Sequence, residues 1–116
     1  MADLALSDDM LEMVAQRFRV LSDPMRLKLL RCLQAGERTV GQLVEEAASS
    51  QPNVSKHLTV LRNAGLVARR QEGNQAIFSI AAPFVFELCE TVCDGIVAEL
   101  DAKRAALLGA PGNSKP

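Results

Sequence analysis

Tryptophan and tyrosine are absent from this 116-residue chain, which has four phenylalanines as its only aromatics. Stacking platforms for single-stranded nucleic acid need several exposed aromatic rings, so that class of function is disfavoured. There is one histidine, His57, and a lone histidine is a poor nucleus for a metal centre. No Ser/His/Asp set, glycine-rich phosphate loop or Cys-x-x-Cys pair is found, because Cys89 and Cys93 are separated by three residues; catalysis is not expected. No run approaches the ~20 apolar residues of a membrane span. Leu4 to Leu6 is too short for the core of a secretory leader, and Asp3 stands where a basic start would be. A cytoplasmic protein without a membrane partner is therefore expected, with its thiols reduced and no structural disulfide.

A strong charge of either sign is also missing. Thirteen bases against fourteen acids leave a formal net charge of -1, so any nucleic-acid surface must come from uneven distribution. Residues 1–12 carry Asp3, Asp8, Asp9 and Glu12 and no base, whereas residues 49–71 carry Lys56, Arg62, Arg69 and Arg70 and no acid. Apolar residues make up 48% of the chain, enough for one folded domain with a modest core.

The periodicity predicts five helices and one hairpin. Ser7, Asp8 and Asp9 suit a helix start, and Met10, Val14, Phe18 and Leu21 form its stripe. Asp23-Pro24 starts a second helix, lined by Met25, Leu29, Leu30 and Leu33 and closed by Gly36. Thr39 and Gln42 have capping-box spacing before Val40, Leu43, Val44 and Ala47. Ser50 caps a fourth helix with the inward stripe Val54, Leu58 and Leu61, ending at Asn63-Ala64-Gly65. The period then becomes strand-like over Leu66–Gln71 and Gln75–Ile80, around a turn at Glu72-Gly73-Asn74. Pro83 opens a last helix striped by Val85, Cys89, Val92, Ile96 and Leu100. The fold class is thus mainly α with a small β-hairpin wing: a winged helix-turn-helix over residues 8–108, between an N-terminal tail (1–7) and a C-terminal tail (109–116).

In that architecture the fourth helix enters the major groove of duplex DNA. Its expected free face carries Gln51, Asn53, Ser55, Lys56, His57 and Thr59, of the types that pair with base edges. Ser50 and Gln51 at the helix start can hold a phosphate, and Lys56 and Arg62 suit phosphate contacts. Arg69, Arg70 and Asn74 sit on the hairpin, where they could reach flanking backbone or minor groove. Four bases alone could be a solvated surface; polar residues on a helix that follows a capped short helix point to DNA.

Leu21-Ser22-Asp23-Pro24-Met25-Arg26-Leu27 resembles the L-x-D-P-x-R-L signature of ArsR-type repressors. Ser50-Gln51-Pro52-Asn53-Val54-Ser55-Lys56-His57-Leu58, continuing through Leu61-Arg62-Asn63-Ala64-Gly65-Leu66-Val67, is similar to their recognition segment. The resemblance implies a homodimer joined through the first and last helices, an inverted-repeat operator as partner, and release from DNA by an inducer. The residues agree with a dimer, because so small a domain cannot easily cover the apolar stripes of both helices. The third helix, Thr39 to Val44, lacks the cysteine motif of arsenic- and cadmium-sensing members, and the last helix lacks the histidines of zinc-sensing members.

Cys32, Cys89 and Cys93 leave three readings open. They could pack as small hydrophobes, act as a redox or reactive-sulfur switch, or bind a soft metal ion or metalloid such as arsenite. Reactive-sulfur sensors of this type use one cysteine on the second helix and one on the last. Cys32 is offset by one residue from the first of these, about 100° around a helix. The only cofactor these readings offer is that soft metal ion or metalloid, held through the cysteine thiolates. The alternatives to an inducible repressor are an inducer-free autorepressor and a winged-helix interaction module without DNA binding.

Overall fold

The computed structural model describes residues 6–109; most of both expected tails lies outside them. The element order is α1 (Asp8–Leu21), α2 (Pro24–Gln34), β1 (Arg38–Thr39), α3 (Val40–Ala47), α4 (Gln51–Asn63), β2 (Val67–Glu72), β3 (Gln75–Ile80) and α5 (Phe84–Leu108). The chain divides into two compact units, residues 1–82 and residues 83–116.

Local chemistry sets each helix start in the first unit. Ser7 Oγ accepts from the Met10 N–H at 3.2 Å, and Asp8 and Asp9 complement the dipole of α1. Asp23 Oδ1 accepts from the N–H groups of Met25 and Arg26 at 2.8 and 3.3 Å, with Pro24 in the first turn, where no donor is missed. Thr39 and Gln42 complete a reciprocal capping box at the start of α3. Lys28 Nζ donates to the Ala47 carbonyl at 3.0 Å, placing a cation at the negative end of α3. Ala48 then turns the chain in a left-handed conformation, φ 52°, a position usually taken by glycine.

The core of this unit is leucine-rich. Leu29, Leu30 and Leu33 of α2, Leu43 and Ala47 of α3, and Val54, Leu58 and Leu61 of α4 are all buried. Helix α4 packs on α2, α3 and β2. Burial of each Leu or Val side chain stabilises the unit by roughly 1.5–3 kcal/mol before entropy is counted. The sheet has the order β1-β3-β2 and is antiparallel throughout. Glu72 pairs with Gln75, so the hairpin turns on two residues, with Gly73 (φ 62°) first, the position that needs positive φ in a type II′ turn. The expected two-stranded wing therefore gains a third strand. β1 is two residues long, too short for an alternation signal, and its Thr39 also caps α3.

Helix α1 buries only Val20, and Met10, Leu11, Met13, Val14 and Phe18 are exposed. The second unit is a 25-residue helix, α5. Leu88, Val92, Ile96 and Leu100 form an exposed row at four-residue spacing along it. No helix among the described residues is long and apolar enough to cross a membrane.

Replacing Leu43, which is 0% exposed, with alanine is expected to cost about 2–5 kcal/mol in urea unfolding. Ala48→Gly, which relaxes the left-handed turn, should raise stability by up to ~1 kcal/mol. A Leu43→Ala loss below ~1 kcal/mol, or a destabilising Ala48→Gly, would contradict this packing and turn.

Candidate nucleic-acid interface

Helix α4 presents its free side as a direct consequence of what it buries. With Val54, Leu58 and Leu61 inward, Gln51, Ser55, Thr59 and Arg62 fall on an adjoining strip at spacings of four, four and three residues. This strip forms one wall of a groove of about 310 Å³, together with Val40, Leu58, Arg69, Ala76 and Phe78. The groove thus runs between the fourth helix and the wing, polar on its helix side and apolar on its floor. Lys56 and Arg62 are exposed and enter no ion pair among the described residues.

The polar groups of the strip are only partly committed. Thr59 Oγ1 donates to the Ser55 carbonyl at 3.0 Å, leaving its oxygen free to accept. Ser50 Oγ accepts from the Asn53 N–H at 3.3 Å as the helix cap. Asn53 is half-buried, and its side-chain amide donates to Ser49 Oγ at 2.9 Å. It staples the turn between α3 and α4.

His57 requires a correction. The sequence reading set it on the free face, but it is 6% exposed and belongs to the buried stripe of α4. Residue 57 lies three after Val54 and four before Leu61, which brings it round to the inward side. Its Nδ1 is 3.4 Å from an Arg26 guanidinium nitrogen. Arg26 had no role assigned from sequence; the only available signal was its place in the L-x-D-P-x-R-L segment.

The wing separates its two arginines by strand alternation. Arg69 faces the groove, and one of its terminal nitrogens donates to Gln71 Oε1 at 2.9 Å. Arg70 points to the other face and is ion-paired with Glu37 and, at 3.2 Å, with Glu72. Hydrogen bonds to these carboxylates, Glu37 foremost, raise its pKa further, and much of its charge is already balanced locally. Asn74 is exposed at the hairpin tip.

The three cysteines have different surroundings. Cys32 and Cys89 are half-buried and Cys93 is exposed. Burial pushes the Cys32 thiol up, and the neighbouring Glu46 carboxylate raises it further by charge and hydrogen bond. Among the described residues, no group of three or more His, Cys, Asp or Glu side chains is placed to hold a metal ion.

Comparison with known proteins gives a consistent picture. The profile described as "Bacterial regulatory protein, arsR family" matches residues 23–69. The chain is 46% identical over 74 residues to a probable mercury resistance operon repressor of Streptomyces lividans, covering 64% of this chain and 59% of that one. It is 37% identical over 103 residues to an HTH-type transcriptional regulator of Mycobacterium tuberculosis, Rv0081, covering 88% of this chain and 90% of that one. The crystal structure of Rv0081 superposes with a TM-score of 0.71 at 36% identity, covering 85% of this chain and 99% of that one. A homodimeric winged helix-turn-helix DNA-binding domain from Mycobacterium bovis gives a TM-score of 0.71 at 30% identity, covering 85% and 95%.

Thiolate, not thiol, reacts with alkylating agents, so Cys32 should be labelled by iodoacetamide more slowly than Cys93 near pH ~7.5. The gap should narrow as pH rises, and Glu46→Gln should speed Cys32 labelling. Peptide mass spectrometry showing Cys32 labelled first would overturn this ordering.

Proposed function

We propose, on the premise that the chain belongs to the arsR family of bacterial regulatory proteins, that it is a homodimeric repressor that binds an inverted-repeat operator and is released by a thiol-reactive inducer. The family and the relatives regulate transcription and are not enzymes. The observation that carries the operator reading is the strip Gln51, Ser55, Thr59 and Arg62 facing the same groove as Arg69 of the wing. Hydroxyls and an amide suit base edges, and guanidinium groups suit phosphates. Ser50, Asn53, Lys56 and Asn74 flank this strip as further contacts, whereas Arg70 contributes less because two carboxylates already hold it.

A two-fold dimer is supported by apolar rows on α1 and on α5, each left exposed in the single chain. Large exposed apolar patches mark interaction surfaces, and the Mycobacterium bovis relative is homodimeric. Pairing would set two copies of α4 about one DNA turn apart.

The inducer is an oxidant, a reactive sulfur species, or a soft ion such as arsenite, acting at Cys32, Cys89 and Cys93. Cys89 and Cys93 are one turn apart beside the Leu88-Val92-Ile96-Leu100 row of α5. Their modification would alter the surface assigned to dimerisation. The relative named as a mercury resistance operon repressor accords with a thiophilic signal. In this reading the accessible Cys93 reacts before Cys32.

A duplex selected by the wild-type chain from a random-sequence library provides the test. Binding should weaken steeply with salt. Arg62→Ala and Arg69→Ala should each lower the slope of log affinity against log salt by about one, and Arg70→Ala by less. Selection of no duplex would overturn the repressor reading, and slopes unchanged in both Arg62→Ala and Arg69→Ala would overturn the assigned face.

A further inference from the structure

The segments 21–27 and 50–58, far apart in the chain, meet at a single side chain. Arg26 Nε donates to the Val20 carbonyl at 2.6 Å, and one terminal nitrogen donates to the Arg19 carbonyl at 3.3 Å. Both carbonyls belong to the last turn of α1, which has no donors of a following turn; the Arg19 carbonyl also accepts from the Ser22 N–H and Oγ. The other terminal nitrogen lies 3.4 Å from His57 Nδ1 on α4. A guanidinium has donors only, so this contact is a hydrogen bond when Nδ1 accepts, in the neutral imidazole with its proton on Nε2. One planar group therefore joins the end of α1, the first turn of α2 and the buried side of α4. Its own backbone is fixed in turn by Asp23, which accepts from the Arg26 N–H.

We propose that Arg26 is a positioning residue for DNA recognition, holding α4 in place through neutral His57, and that protonation of His57 releases this hold. The proposal rests on reading α4 as the helix that contacts DNA. Protonated Nδ1 can no longer accept, and the contact becomes two cations facing each other. The charged groups facing the ring are Arg26 and Asp23, both contributed by α2 and its cap. Arg26 opposes the imidazolium and Asp23 favours it. Burial works against the Asp23 carboxylate, but the Arg26 and Met25 amides hold its pKa below the ordinary value, so it stays charged at neutral and mildly acidic pH. Acidification thus turns a hydrogen bond at the ring into a repulsion between Arg26 and the imidazolium. That shifts α4 against α2 and frees the guanidinium that braces α1. Groups on α4 must sit within a fraction of an ångström to read a groove, so the exchange weakens DNA binding without unfolding the chain.

The test uses the full chain, the duplex selected by the wild type, and circular dichroism at each pH. Between about pH 8 and about pH 5.5, the range in which histidine changes charge, the wild type should lose roughly tenfold more affinity than His57→Gln, the equivalent of one charge-assisted hydrogen bond. Gln can still accept from Arg26 but does not titrate, so its affinity at the higher pH should stay within about threefold of the wild type. Arg26→Lys keeps the charge without the planar fork; it should bind more weakly at the higher pH and show a flattened pH profile. Identical pH profiles for wild type and His57→Gln overturn the inference while leaving DNA binding intact. If Arg26→Lys loses its helical signal, the His57→Gln comparison decides alone. If the wild type selects no duplex, the reading of α4 fails first and this inference falls with it.

Discussion

Burial of one face of a thirteen-residue helix is the constraint on which the structure turns. Val54, Leu58 and Leu61 of α4 are all at 1% exposure or less, against α2, α3 and β2. A helix with one face buried in this way has no rotational freedom left. The polar strip from Gln51 to Arg62 is therefore aimed by the core, not by its own contacts. The same packing makes the turn at Ala48 tolerable. Its left-handed conformation costs about 1–2 kcal/mol, less than the burial of any two of the leucines it helps to bring together.

The electrostatics follow the same economy of placement. With a net charge of -1, the chain has no general field to attract a polyanion, and local geometry decides which bases are free. Adjacent residues on a strand face opposite ways. Arg69 consequently faces the groove, while Arg70 meets Glu37 and Glu72 on the other side. A count of bases over residues 49–71 treats these two as equal, and the fold does not.

Most of the fold was legible because its signals are local. The caps at Ser7, Asp23, Thr39 and Ser50 all occur where hydroxyl or carboxylate residues precede an apolar period, and the hairpin follows from Gly73 between alternating runs. What escaped was set by tertiary contact. β1 is a strand only because Arg38 and Thr39 pair with Phe78 and Ile77 on β3. His57 looked like a surface reader because histidine is polar. Helical arithmetic alone would have placed it inward, but a buried imidazole needs a partner, and that partner, Arg26, is thirty-one residues away. The turn role of Asn53 was hidden for a similar reason, since its acceptor, Ser49, lies on the far side of the helix cap.

The helix-turn-helix differs from α1 and α5 in how far it satisfies itself. Among the described residues of the whole chain, no buried side-chain nitrogen or oxygen lacks a hydrogen-bond partner, and the helix-turn-helix has a closed leucine core. By contrast α1 exposes Met10, Met13 and Phe18, and α5 exposes Val92, Ile96 and Leu100. Polar satisfaction inside and apolar exposure outside are what an element complete for folding but incomplete for assembly should show. Cys89 and Cys93 lie beside the exposed row of α5, while Cys32 lies on α2 beside the Glu46 carboxylate. A thiol chemistry that regulates assembly would act where the surface is still open, and this separates the α5 cysteines from Cys32 on physical grounds.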